Sequence, residues 1–355
     1  MTDRRPVVVL GATGTVGQRF VEQLADHPWF EVVAVAASER SAGTRYRDAC
    51  HWVLPGSPPE DVAAMTVAPL DPVRLASGAI HRPIAFSALP ASVALDVEPR
   101  FAEAGFPVCS NASAFRTAPD VPLVIPEVNP SHLALIAGQR RTRGWKGFIV
   151  TNPNCTVAGT ALALKPLDDA FGLRRVFLAT LQAVSGAGYP GVPSLDILGN
   201  VVPWIPGEET KIEHETALLL GRIEDDVQIP AGVTLSAQVH RVPVVDGHTV
   251  CLSLGFDASP TPAEAEAALR GFRGTARVQA LPSAPATPIL IRDEEDRPQP
   301  RFDAAAGAGM SVSVGRIRAC PLQDLRLVVL AHNTLRGAAG AAILNAELLV
   351  AEGIL

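Results

Sequence analysis

Residues 6–17 read PVVVLGATGTVG. The run PVVVL (6–10) is continuously apolar, as in a strand buried on both faces. Glycines follow at 11, 14 and 17, and over 14–27 Val16, Phe20, Val21 and Leu24 fall on one helical stripe. Strand, glycine turn and helix, in that order, make a place for a pyrophosphate. Glycines let backbone N–H groups approach it, and the helix N-terminus favours its charge. The spacing is GxxGxxG, a variant of the usual fingerprint, and its setting is what gives it weight. A nucleotide there would touch Gly11, Thr13, Gly14, Thr15 and Val16.

Working outward, the alternation continues. EVVAVAA (31–37), IAFSALP (84–90) and PVCSNA (107–112) read as further strands running into loops. Alternating strands and helices predict a doubly wound, Rossmann-like parallel α/β sheet. After the second strand comes Ala37-Ser38-Glu39-Arg40-Ser41. NAD sites favour an acidic residue there, whereas a guanidinium flanked by hydroxyls suits a 2′-phosphate. Ser38, Arg40 and Ser41 therefore favour NADP(H), with Glu39 as a contrary note.

Beyond residue 152 the pattern changes. RRVFLATLQAVS (174–185), VTLSAQVHRVPVV (233–245) and HTVCLSLGFD (248–257) read as longer strands. Asp246-Gly247 between the last two is a hairpin signal. Thr261 before Pro262 starts a capped helix over 262–272, and residues 334–351 form a closing helix. A mixed α+β domain is expected over 152–333. Residues 1–151 are expected to be the nucleotide domain, completed by 334–355.

With 355 residues, 48% hydrophobic and 19% charged, two folded domains are expected and disorder is not. A net charge of −6 without basic runs argues against nucleic acid. No apolar stretch is long enough to span a bilayer, and the one near the N-terminus is too short for a signal region. Five widely spaced cysteines, with no CxxC and no Cys/His cluster of zinc spacing, suggest a reducing cytoplasm and no metal.

One of those cysteines is placed for chemistry. In GFIVTNPNCTVAGT (147–160) a strand ends, Asn154 follows as an N-cap, and Cys155 opens a helix expected over 155–165. Helix N–H groups at that point favour a thiolate and can hold an oxyanion. Cys50, Cys109, Cys251 and Cys320 lie in strands or featureless segments and read as small core residues. A thiol nucleophile needs an acid/base partner. His248 follows the Asp-Gly turn, while His240 and His332 also end strands. His214 lies in a charged helical stretch, and His27, His51, His81 and His132 lie in surface-like segments. Arg241 is expected on the other strand of the His248 hairpin. Lys211, one of three lysines, follows Glu208-Glu209-Thr210. A thiol among Arg and Lys suits an anionic acyl substrate.

Taken in order, GATGTVGQRF, SNASAFR (110–116), TNPNCT, QAVSGAGYPG (182–191), EETK, HRVPVVDGHT, RPQPR and HNTLRGAAG (332–340) resemble the aspartate-β-semialdehyde dehydrogenases, most closely their archaeal and fungal branch. The motifs span residues 8–348. The resemblance implies Cys155 as acylated nucleophile, His248 as acid/base catalyst and Gln182 as the residue orienting substrate at the thioester. It implies Arg241 on the substrate carboxylate, Arg116 on phosphate, and Asn154, Glu208 and Lys211 against substrate. Which of Glu208 and Glu209 faces inward stays open. Cofactor contacts are implied at Ser87, Ser185, Gly186 and Asn333. The implied reaction is NADPH-dependent reductive dephosphorylation of L-aspartyl-4-phosphate to the 4-semialdehyde, by a homodimer or homotetramer. Related acyl-CoA reductases acting on malonyl- or succinyl-CoA remain an alternative, as does a non-catalytic NADP sensor. A Tyr-x-x-x-Lys dehydrogenase does not: Tyr46 and Tyr189 have no lysine four residues on.

Overall fold

The computed structural model describes residues 4–76 and 82–355. Strands β1 (Arg5–Leu10), β2 (Phe30–Ala37), β3 (Ala68–Pro69), β4 (Ile84–Ser87), β5 (Pro107–Ser110) and β6 (Phe148–Thr151) form one sheet. Its order is β3-β2-β1-β4-β5-β6, and every pairing is parallel. Val7 to Leu10 are fully buried, as expected of a central strand covered on both faces. Strand order reverses between β1 and β4, the crevice in which open α/β sheets bind ligands. The helix Thr15–Leu24 starts there, at the C-terminal end of β1. Gly17 packs directly on the turn: a Cβ at this position would sit 2.2 Å from the Gly11 carbonyl oxygen.

The second half contains β7 (Leu173–Gln182), the short pair β8 (Arg222–Glu224) and β9 (Val227–Ile229), then β10 (Thr234–Arg241), β11 (His248–Phe256), β12 (Ile289–Arg292), β13 (Val312–Ala319) and β14 (Leu325–Ala331). The large sheet runs β10-β7-β11-β14-β13-β12 and is mixed. β10 and β11 are not a hairpin, contrary to the Asp-Gly signal. β7 lies between them, parallel to β10 and antiparallel to β11. Pro243, which has no N–H to give a ladder, lies in a connection that crosses the end of β7, where Val242 N–H bonds the Gln182 carbonyl.

Helices Cys155–Phe171, Glu208–Leu219 and Pro262–Gly271 cover one face of this sheet, with Val157, Leu162, Ile212 and Leu269 packed against Leu178, Val239 and Leu252. The first of them runs six residues beyond the expected end, through Pro166 to Gly172. On the opposite face, alternate β7 residues point outward, leaving Phe177 and Leu181 about 40% exposed.

After β14 the chain turns back. Residues Leu335–Ala339 form one π-helical turn, and Gly340–Ala351 continues as α-helix. Ile343, Leu344 and Leu348 join Val7, Phe20 and Phe86 in the core of the first sheet. The last helix therefore packs in the nucleotide half.

Candidate functional site

Three strand ends of the second sheet carry the side chains expected at the site. Gln182 ends β7, Arg241 ends β10 opposite it, and His248 begins β11 opposite Ala331. Asn333 follows β14 two residues later. The helix Cys155–Phe171 points its N-terminus at this rim. Asn154 caps it through Oδ1, which accepts from the N–H groups of Thr156 (2.8 Å) and Val157 (3.4 Å). Such a cap contributes about 1 kcal/mol.

Cys155 Sγ lies 3.2 Å from His248 Nε2. His248 is buried, and its Nδ1 accepts the Ala183 N–H at 3.0 Å. Nδ1 therefore holds a lone pair, and the neutral ring carries its proton on Nε2, aimed at sulfur. Arg241 Nη1 donates to the carbonyl oxygen of the same residue, Ala183, at 2.8 Å. Ala183 thus orients both side chains through its backbone, which is why composition gave no sign of it.

The electrostatics correct one expectation. Burial pushes the Cys155 thiol up, to about 12, and the charge of Glu208 adds to that push; Arg116, Arg241 and the Thr156 N–H oppose it without reversing it. Burial, with Arg241 and His332 nearby, takes His248 down to about 3. Both directions favour a thiol beside a neutral imidazole in the resting pair. The helix N-terminus favours negative charge, but desolvation outweighs it.

A cavity of ≈ 620 Å³ opens over Cys155, and Gln182 and Asn154 also line it. Its charged lining residues are Arg116, Lys211, Arg241 and Glu208, a surplus of two positive charges. Arg116 is held by Asn111 O (2.6 Å) and Glu215 Oε1 (3.3 Å). Of the two adjacent glutamates, Glu208 faces inward: its Oε1 accepts from Asn154 Nδ2 at 2.8 Å. Glu209 turns to the Val239 N–H on β10. Lys211 Nζ is 3.9 Å from Glu208 and more than one-third exposed, free to meet a ligand.

The nucleotide turn borders the same cavity through Thr15 and Val16, facing Ser185, Gly186 and Asn333. Thr15 Oγ1 is buried and has no hydrogen-bond partner among the described residues, at a helix N-terminus that lacks a side-chain cap. A hydroxyl and helix N–H groups left over in this way fit a dinucleotide phosphate. Thr13 keeps its carbonyl bonded to Gln18. Asn333 bridges the two glycine loops, accepting from Gly247 N–H and donating to Ser185 Oγ. Ser38, Glu39 and Arg40 are exposed where β2 ends, outside this cavity, and Ser41 N–H closes a turn on the Ser38 carbonyl. Ser87 is fully buried at the end of β4, does not line this cavity, and its Oγ has no hydrogen-bond partner among the described residues.

Other expectations also change. His27 and His132 are buried rather than superficial; His27 Nε2 lies 2.7 Å from Glu347. His81 lies outside the described residues. Cys251 is exposed on its strand, not a core thiol. Glu215 and Gly337 were not anticipated. Glu215 lies seven residues after Glu208, two helical turns along the same face, and that spacing was the available signal. Gly337, on the π-turn, abuts the nucleophile: a Cβ there would lie 2.8 Å from Cys155 Cα and Cβ.

The chain matches two family models, "Semialdehyde dehydrogenase, NAD binding domain" over residues 6–136 and "Semialdehyde dehydrogenase, dimerisation domain" over 164–336. It is 52% identical to the aspartate-semialdehyde dehydrogenase of Archaeoglobus fulgidus, covering 99% of this chain and 100% of that one. Identity to the Cryptococcus neoformans enzyme is 49%, over 98% of each chain. Among solved structures, aspartate semialdehyde dehydrogenase from Candida albicans with NADP superposes with a TM-score of 0.90 at 43% identity, covering 99% of this chain and 100% of that one. This chain belongs to the aspartate-semialdehyde dehydrogenase family.

Proposed function

We propose that this protein is an NADP-dependent aspartate-semialdehyde dehydrogenase, reducing L-aspartyl-4-phosphate to L-aspartate-4-semialdehyde and phosphate, with Cys155 as the nucleophile. The reaction serves biosynthesis of the aspartate family of amino acids in the cytoplasm. One observation carries the reading: a thiol 3.2 Å from an imidazole, in a cavity whose other charges are Arg116, Lys211, Arg241 and Glu208. A substrate with a carboxylate at one end and an acyl phosphate at the other suits that surplus of cations.

Arg241 takes the substrate carboxylate, with Glu208 available for its ammonium group. Arg116 and Lys211 take the phosphate. Gln182 faces the acyl group. The His248 Nε2–H stabilises sulfur as it loses its proton. Sulfur attacks the acyl carbon, and the N–H of Cys155, at the first position of its helix with no intrahelical acceptor, is placed for the developing oxyanion. The carbon–oxygen bond to phosphate breaks, and the thiol proton leaves with phosphate as HPO₄²⁻. Bound NADPH supplies the hydride that the acyl carbon requires. The resulting alkoxide on Cys155 collapses, the carbon–sulfur bond breaks, and the thiolate recovers a proton from solvent. Gly11, Thr13, Gly14, Thr15 and Val16 would hold the pyrophosphate end, Ser38, Arg40 and Ser41 the 2′-phosphate, and Ser185, Gly186 and Asn333 the nicotinamide end.

We assign residues 1–151 with 334–355 to cofactor binding and 152–333 to catalysis and assembly. The open face of the second sheet, bearing Phe177 and Leu181, is our candidate for pairing chains as a homodimer or within a homotetramer. No helix among the described residues is long and apolar enough to cross a membrane. Absorbance of NADPH during oxidation of aspartate semialdehyde, with and without phosphate and with NADP or NAD, tests the reading. Phosphate-dependent turnover with NADP is expected. Turnover with malonyl- or succinyl-CoA and none with the semialdehyde would replace it.

A further inference from the structure

Glu215 is a buried carboxylate that does not itself line the cavity but bonds two residues that do. It is 1% exposed, on the helix Glu208–Leu219. Its Oε2 accepts the backbone N–H of Asn154 at 2.5 Å, and its Oε1 lies 3.3 Å from Arg116 Nη1. One carboxylate therefore touches the residue immediately before the nucleophile and the arginine assigned to phosphate. These two come from different parts of the chain: Arg116 from the loop after β5, Asn154 from the junction after β6. The Nε of Arg116 is buried and has no partner among the described residues. Among the described residues two acceptors hold the guanidinium, Asn111 O and Glu215.

Resting on the reaction assigned above, we propose that Glu215 is a positioning residue that sets the direction of Arg116 toward phosphate while fixing the peptide before Cys155. A carboxylate can accept from both donors at once, whereas an amide of the same shape cannot. In Glu215→Gln the amide oxygen can keep the Asn154 N–H, and the amide NH₂ then faces a guanidinium that also only donates. Arg116 loses one of its two holds, and the nucleophile's own support remains. A purely structural carboxylate would lower the amount of folded enzyme without separating KM from kcat.

The test is steady-state kinetics of semialdehyde oxidation with phosphate varied. In Glu215→Gln the KM for phosphate should rise by about tenfold, the size of one charged hydrogen bond. The kcat at saturating phosphate should change by less than about threefold, since the contact to Asn154 persists. Glu215→Asp, which keeps the charge one methylene shorter, should lie between the two and also reports if the glutamine variant does not fold. A phosphate KM within about twofold of the parent's in Glu215→Gln, or in Glu215→Asp where the glutamine variant does not fold, overturns the proposal while the reaction stands. A parent enzyme with no phosphate-dependent turnover overturns the reaction, and the proposal with it.

Discussion

His248 and Cys155 are joined by a hydrogen bond whose direction is set from behind: Nδ1 of the ring is occupied by the Ala183 N–H, so Nε2 presents a proton to sulfur. The imidazole is a fixed donor to the nucleophile. An imidazolium would turn two N–H groups against each other at Nδ1, in keeping with its low proton affinity here.

His248→Ala should lower kcat by about 10²–10³-fold, the usual scale for losing one fixed hydrogen-bond donor to developing negative charge. His248→Gln keeps an N–H donor on a side chain of similar reach and should recover part of that loss. Equal rates for the two variants would show that donation to sulfur is not what the ring contributes.

Because burial raises the thiol, Cys155 carries little thiolate near neutrality in the free protein. Iodoacetamide should modify it slowly at pH 7, and the rate should still be climbing beyond pH 9, above the ordinary thiol value of about 8.5. A rate that levels off below pH 8 would mean a preformed thiolate. Cys155→Ala should abolish turnover and leave NADPH binding, followed by fluorescence, intact.

Arg241→Lys keeps the charge but loses the planar fork and its bond to Ala183 O. The KM for semialdehyde should rise by about tenfold or more, with a smaller fall in kcat, as read from initial rates. An unchanged KM would take the substrate carboxylate away from Arg241.

Arg40 is exposed beyond β2, with no ion-pair partner among the described residues. Arg40→Ala should weaken NADPH by about tenfold and leave NADH nearly unchanged, because only the former carries a 2′-phosphate. Parallel losses for both cofactors would place the 2′-phosphate elsewhere.

Gly337→Ala puts a methyl within 2.8 Å of Cys155 backbone and side chain, so it should destabilise by about 1–3 kcal/mol and reduce activity. Gly271→Ala, at a helical glycine with open space around it, should be neutral or slightly stabilising. Thermal unfolding of the two variants makes the comparison.

The nucleotide half was legible because its signals are local. An apolar run, a glycine turn and a helical stripe lie side by side in residues 6–24, and the structure keeps all three. Asn154 as cap was legible for the same reason. What failed depended on pairings distant in sequence. Asp246-Gly247 could not reveal that β7 enters between β10 and β11. Ser87 stands at the end of its strand as expected, but its complete burial comes from elements packed around it that lie far off in sequence. Glu215 sits in the charged helical stretch around His214, where nothing local sets it apart from its neighbours. It became notable once Asn154 and Arg116 were seen to converge on it. The preference of a helix N-terminus for thiolate was a sound local expectation, and the desolvation that overrides it is a property of the assembled interior.

The return of residues 335–351 to both the nucleophile and the first sheet has a consequence for how the protein is made. During synthesis the thiol, its imidazole and the nucleotide turn all leave the ribosome before the backbone that supports Cys155. A chain that stops short of Leu335 would lack part of its first core and the surface behind its nucleophile, however well the preceding strands pair. Competence is thus deferred until residues 335–351 have been made, so products terminated before them should not consume a reactive acyl phosphate.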